Sequence, residues 1–152
     1  MKQTNSISLA ELAASEGKHL GYSAWREITQ ERVNTFADAT DDHQWIHVDP
    51  ERAATGPFGG PIAHGYLTLS LAVPMVHEIF EVENVAMGVN YGLNRVRFPA
   101  PVAVGSLLRA GAVLASYDEI KGGVQVTLDL TFEVEGGEKP VCVAQAVYRY
   151  YT

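Results

Sequence analysis

Cys142 is the only cysteine in the chain, so no disulfide framework can hold it together from within. Basic residues are also scarce. The 11 Lys and Arg stand against 18 Asp and Glu, giving a formal charge of −7, and the cations are scattered rather than gathered into a stripe. That excludes the electrostatic footprint of a surface that tracks a polyanion, and no nucleic-acid partner is expected. Long apolar runs are missing too. The most hydrophobic stretch, residues 61–80, is interrupted by His64, Thr68, Ser70, Pro74 and His77, whereas a bilayer span needs roughly 20 predominantly apolar residues. The start, MKQTNSISLAEL, lacks the apolar region of a secretory leader, so a cytoplasmic location without membrane contact is expected. Gly56, Gly59 and Gly60 follow no strand of a βαβ unit, which excludes a dinucleotide-binding fingerprint. No repeat, linker or low-complexity segment divides the chain, and one domain over residues 1–152 is expected.

What remains is an ordinary globular balance. Hydrophobic residues make up 47% and charged residues 19%, enough apolar surface to fill a core and too little charge for disorder. Ser8 and Glu11 form a capping box that opens a short helix, with Gly17 as its stop. Residues 22–28 read as a first strand, and Thr29 as the N-cap of a second helix that buries Val33, Phe36 and Ala37. Residues 40–50 read as an ordered polar loop, and residues 51–60 as a glycine-rich connection or lid. Residues 61–80 read as a central helix, apolar nearly all round and therefore buried, with Pro74 kinking it near its last third. Strands then follow at 85–98, 105–117, 124–134 and 140–150. The clearest is Val124, Val126, Leu128, Leu130, Phe132 and Val134, alternating with polar partners on a wet face. The plan is an α+β domain whose antiparallel sheet is covered by one helix, and this order of elements resembles the hot-dog fold.

Chemistry-bearing residues concentrate in two segments, Asp42-His43-Gln44-Trp45-Ile46-His47-Val48-Asp49 and Pro61-Ile62-Ala63-His64-Gly65. A third segment, Val96-Arg97-Phe98-Pro99-Ala100-Pro101-Val102, lies downstream. Together they resemble the MaoC-like dehydratases, the family of (R)-specific enoyl-CoA hydratases, and are most similar to its NodN-like branch. The family's D-x-N-P-x-H-x-D falls on Asp42, His47 and Asp49, its A-H-G on Ala63, His64 and Gly65, and its R-F-x-x-P-V on residues 97–102. Gln44 and Trp45 stand where many members carry asparagine and proline. The resemblance implies a hot-dog fold, an acyl-CoA substrate (enoyl or 3-hydroxyacyl thioester), no cofactor and a homodimer joined edge to edge. It also implies Asp42 and His47 as the catalytic dyad and the Gly65 amide as oxyanion donor. Gln44, Trp45 and Tyr66 are expected to contact substrate, in a tunnel walled by the central helix and residues 52–60.

The chemistry fits those residue types. Hydrating an α,β-unsaturated thioester requires a water to be deprotonated toward Cβ, a proton to reach Cα, and negative charge on the thioester oxygen to be stabilised. A carboxylate and an imidazole holding one water meet the first two needs. A backbone N–H at a glycine that opens a helix meets the third. Other readings compete. Asp42 could simply end the preceding helix, and His47 could be a loop histidine bonded to its surroundings. His64 reads as packing the turn rather than as catalytic. His43, His47, Asp42 and Asp49 are close enough in sequence to consider a metal, but they lack the helical H-E-x-x-H pattern, and no metal is expected. Arg95, Arg97 and Arg109 could meet coenzyme A phosphates, although solvated strand faces are the plainer expectation. An acyl-CoA thioesterase on the same fold and a non-catalytic acyl-thioester-binding accessory protein are the rival functions.

Overall fold

Local signals set the first elements of the computed structural model, which describes residues 4–152. A first strand, β1 (Asn5–Ile7), is followed by α1 (Leu9–Ala14). The α1 capping box is complete: the Ser8 hydroxyl accepts from the Glu11 amide, and the Glu11 carboxylate accepts from the Ser8 amide. Thr29 likewise caps α2 (Gln30–Thr40) by accepting from the Arg32 amide, and Asp41 ends that helix in the left-handed region at φ 59°.

Between these helices the single strand expected at 22–28 is two short ones, β2 (His19–Tyr22) and β3 (Arg26–Glu27), both paired with a later strand over residues 107–113. The Ser23 amide still donates to the Ala110 carbonyl, and regular pairing then stops because side chains take the next polar groups. The Ser23 hydroxyl accepts from the Ala110 amide, and the Ala24 amide and Arg26 guanidinium both donate to Glu78. The loop expected over 40–60 contains two further helices, α3 (Trp45–Val48) and α4 (Pro50–Ala54). Asp49 caps α4 through the Arg52 amide and Pro50 occupies the first turn, a local start signal inside what reads as loop.

The central helix is broken into α5 (Gly65–Ser70) and α6 (Ala72–Ile79), with the break at Leu71 rather than at Pro74. A proline ring clashes with the carbonyl four residues earlier, here Ser70, and has no N–H to offer it. The chain therefore restarts its helix at Ala72, which leaves Pro74 in a first turn where no N–H is needed.

The remaining strands are β4 (Phe80–Val82), β5 (Met87–Arg97), β6 (Leu107–Ile120), β7 (Gly123–Val134) and β8 (Cys142–Tyr151). The main sheet runs β2-β6-β7-β8-β5 and is antiparallel, while β1 pairs in parallel with β4 as a separate two-stranded strip. Register explains how the sheet takes the helix. On β7, Leu128, Leu130 and Phe132 face inward, and most of their ladder partners are alanines: Ala110 opposite Phe132, Ala112 and Ala144 opposite Leu130, Ala146 opposite Leu128, whose other partner is Leu114. Those alanines leave the volume that Leu71, Met75, Val76 and Ile79 fill, all at 6% exposure or less. This is the hot-dog arrangement of a curled antiparallel sheet around a central helical segment. Cys142 lies in this core, and burial pushes its thiol up to about 11, far from a reactive thiolate. Among the described residues, no helix is long and apolar enough to cross a membrane.

The far edge of the sheet has no such cover. β5 pairs with β8 on one side only, and its Met87, Val89, Tyr91 and Leu93 are all exposed.

Candidate active site

Two loops and one helix start build a cleft of about 250 Å³ lined by Asp42, His47, His64, Gly65, Tyr66 and Phe98. Asp42 follows the left-handed Asp41 at the end of α2, and its carboxylate stands in the open. His47 lies on the inner side of α3 with 6% exposure. Its Nδ1 is 2.7 Å from the Ile62 carbonyl, which can only accept, so the proton sits on Nδ1 and Nε2 keeps its lone pair. Burial holds this imidazole below its ordinary value of 6.5. The Ile62 carbonyl opposes that shift, and His64 adds to it. His47 is therefore a neutral ring with an accepting nitrogen near neutral pH.

His64 is buried and stacks on His47, ring centroids 3.9 Å apart, with Phe36 packed against it at 4.9 Å. Its Nε2 donates to the backbone carbonyl of Asp42 at 2.9 Å and lies 4.0 Å from the carboxylate of the same residue. It precedes α5 without capping it through its side chain. Gly65 opens α5, where the first amides have no intrahelical acceptor. A Cβ at this position would stand 3.2 Å from the Phe98 ring, so glycine keeps the approach to that amide clear.

The other sequence candidates fall around this centre. Tyr66 lines the cleft at 70% exposure and meets Phe98 edge-on. The Gln44 amide lies 3.4 Å from a carboxylate oxygen of Asp42, and the Gln44 carbonyl accepts from the amides of His47 and Val48. Trp45 turns the other way: its ring lies under the Arg52 guanidinium and fills the space over Gly56, and it does not line the cleft. The connection expected as a tunnel wall contributes Phe58 to a neighbouring hollow of about 320 Å³ beside Gly65 and Phe98. His43 pairs with Asp38 on the surface, and Asp49 caps α4, so neither joins the centre. Arg109 is occupied by Glu133 and lies over the rings of Tyr22 and Trp25, and Arg97 donates to the Val96 carbonyl.

Two contributors escaped the sequence reading. Phe98 stands in a quoted motif without any sign that it shapes the cleft. Gln30, on α2, donates to the His47 carbonyl at 2.8 Å and to Asn34, and nothing in its local pattern marks it. The donor atoms of Asp42, His47 and His64 lie within 4.8 Å of one another. Such a trio is able to hold one water between a carboxylate and an accepting imidazole nitrogen. One carboxylate and two imidazoles are also a chemically reasonable metal donor set, although a backbone carbonyl already engages one nitrogen of each ring.

Comparison with known proteins gives a consistent picture. The family described as the MaoC like domain matches residues 11–135. The 3-hydroxyacyl-thioester dehydratase Z of Mycobacterium tuberculosis is 56% identical over 144 residues, covering 94% of this chain and 95% of that protein. Nodulation protein N of Rhizobium leguminosarum bv. viciae is 44% identical over 142 residues, 91% of this chain and 88% of its own. Among solved structures, a monoamine oxidase regulatory protein from Archaeoglobus superposes with a TM-score of 0.78 at 30% identity, covering 100% of this chain and 99% of that one. The unliganded R-hydratase PhaJ1 from Pseudomonas aeruginosa gives 0.77 at 23% identity over 97% and 88%, a likeness of fold.

Proposed function

The chain belongs to the MaoC-like dehydratase family, and on that premise we propose that it is an (R)-specific enoyl-CoA hydratase and 3-hydroxyacyl-CoA dehydratase, a hydro-lyase of acyl thioesters. The observation that supports this reading best is the convergence of the Asp42 carboxylate and the His47 ring on one cleft at the start of α5. With Nδ1–H committed to Ile62, the His47 Nε2 accepts one hydrogen of a water and the Asp42 carboxylate accepts the other. As the water oxygen bonds to Cβ, the dyad takes one of its protons and delivers it at Cα, so that the elements of water add across the double bond. The Gly65 amide donates to the thioester oxygen while its negative charge develops. Elimination of water from the 3-hydroxyacyl thioester runs through the same groups in reverse.

Tyr66 and Phe98 close the mouth of the cleft around the thioester. Gln44 and Trp45 support the site without lining the cleft, Gln44 by its backbone amide beside the Asp42 carboxylate and Trp45 by fixing α3 against Gly56 and Arg52. We place coenzyme A as the carrier, the cytoplasm as the location and a two-fold homodimer as the working form. The open edge of β5 and its exposed apolar side chains support pairing with a second copy. The test is direct: purified protein is given crotonyl-CoA, and loss of the conjugated enoyl absorbance is followed beside release of free thiol. Hydration without thiol release supports the proposal. Thiol release alone supports a thioesterase, and neither signal supports an accessory binding protein.

A further inference from the structure

One stripe of the helical segment leads away from the cleft. Tyr66 and Ser70 on α5, and Val73 and His77 on α6, recur every three or four residues along the segment. Tyr66 lines the cleft, while Ser70 and Val73 line a second hollow of about 250 Å³. Val73 and His77 line a third, of about 330 Å³. The second and third share Val73, Asn90 and Tyr148, so they adjoin as one open channel along the helical segment, β5 and β8, separate in its lining from the cleft. At the helical rise, its far part lies about 12–18 Å from Gly65.

The far part is not the featureless apolar slot that a plain hydrocarbon end would need. Tyr148 is only 8% exposed, yet its hydroxyl makes no hydrogen bond among the described residues. It is also not among the fully sealed polar atoms that lack a partner, so it opens onto the channel. A tyrosine this buried ordinarily pairs its hydroxyl. Tyr150 lines the same hollow with its hydroxyl equally unpaired, and its ring has room because the residue opposite is Gly88, where a Cβ would stand 3.2 Å away. Asn90, directly across the ladder from Tyr148, adds an amide with no protein partner among the described residues. Burial pushes the Tyr148 phenol up to about 12 and raises that of Tyr150 as well, so both stay protonated and able to donate. No Lys or Arg lines the hollow and Glu81 does, which disfavours a carboxylate there.

We propose that this channel receives the distal part of the acyl chain, and that the preferred substrates carry a neutral hydroxyl or keto oxygen there. The proposal rests on the hydratase reading of the cleft and adds the substrate class. The oxygen satisfies the buried Tyr148 hydroxyl, with the Asn90 amide beside it, whereas a methyl end leaves that hydroxyl unpaired.

The test uses matched pairs of trans-2-enoyl-CoA substrates of equal length, one with a plain terminus and one with a terminal hydroxyl, over a series of chain lengths. Calorimetric binding of the corresponding saturated acyl-CoA pairs is measured alongside. For chains long enough to reach the far hollow, kcat/KM and affinity should favour the hydroxylated member by about 10-fold. Tyr148→Phe, checked for folding by its melting curve, should erase that preference, and Tyr150→Phe should reduce it. A plain chain that is bound and turned over equally well at every length would overturn the proposal and leave the hollow to water or to a second copy of the chain. A preference that survives both substitutions would overturn it too. Crotonyl-CoA, too short to reach the hollow, reports on the cleft alone. If crotonyl-CoA is hydrated without any tail preference, only the channel assignment fails. If crotonyl-CoA is inert, the hydratase reading fails, and the binding measurements still decide the channel.

Discussion

His47 and His64 form a reciprocal clasp. Their rings stack with planes 24° apart, and each hydrogen-bonds to the backbone of the segment that carries the other. His47 donates to Ile62, two residues before His64, and His64 donates to Asp42, five residues before His47. The two motif segments are thus locked in register by the histidines themselves, and the Asp42 carboxylate and the His47 ring are brought to one cleft.

Removing either member of the proposed dyad should be severe. Asp42→Asn and His47→Ala should each lower kcat/KM for crotonyl-CoA by about 10²–10⁴-fold while the melting curve stays cooperative. The double variant should be little worse than either single one, because both act on one water. Near-wild-type rates in folded single variants would dismiss the assignment.

His64→Ala should show first in stability. It deletes a buried ring, one hydrogen bond to the Asp42 carbonyl and the stacking partner of His47, and a loss of about 1–3 kcal/mol is expected in denaturant unfolding. A variant as stable as wild type would break the clasp argument.

The buried neutral His47 sets an acid limit. Its folded value lies below the ordinary 6.5, so in acid the unfolded chain takes up the proton before the folded one does. Its contribution to stability is therefore complete above about 6.5 and is lost as pH falls through the folded value. Melting temperature measured from pH 8 down to pH 5 should fall more for wild type than for His47→Gln; parallel curves would remove His47 as the cause.

If the proposed dyad works without a metal, dialysis against a chelator is harmless. Crotonyl-CoA hydration should be unchanged after EDTA treatment, and a loss of rate restored by a divalent cation would reassign the Asp42, His47 and His64 trio to metal binding.

Charge on the open strand should prevent assembly. Tyr91→Asp with Leu93→Asp adds two carboxylates to the exposed β5 edge, and sedimentation should shift from dimer to monomer. Wild-type protein that already sediments as a monomer at micromolar concentration would refute the edge-paired form.

Much of this arrangement is legible without coordinates where the determinants are local. Ser8 with Glu11, Thr29 with Arg32 and the strict alternation of β7 each carry their signal within a few residues. The helix break is local as well, but it lies at the carbonyl that Pro74 displaces rather than at Pro74, so the sequence reading puts the kink too late. Asp49-Pro50 is a helix start that the surrounding polar residues disguise as loop. β1 carries three residues of weak pattern whose partner lies far along the chain, and the clasp between His47 and His64 is tertiary. No spacing rule reports that two rings will stack, so those segments emerge from the sequence only as motifs.

The parallel strip of β1 and β4 has a kinetic meaning. Its two strands are tied side by side, with Ser6 bonded to Glu83 at a separation of 77 residues and the Glu83 amide bonded to the Ile7 carbonyl. Closing so long a loop costs chain entropy that three residues of pairing cannot recover until the rest of the fold exists. The strip should therefore form last on refolding and open first near native conditions. Amide exchange at residues 5–7 and 80–82 should then run ahead of the β6–β7–β8 ladder by orders of magnitude, through openings that leave the helical segment in place.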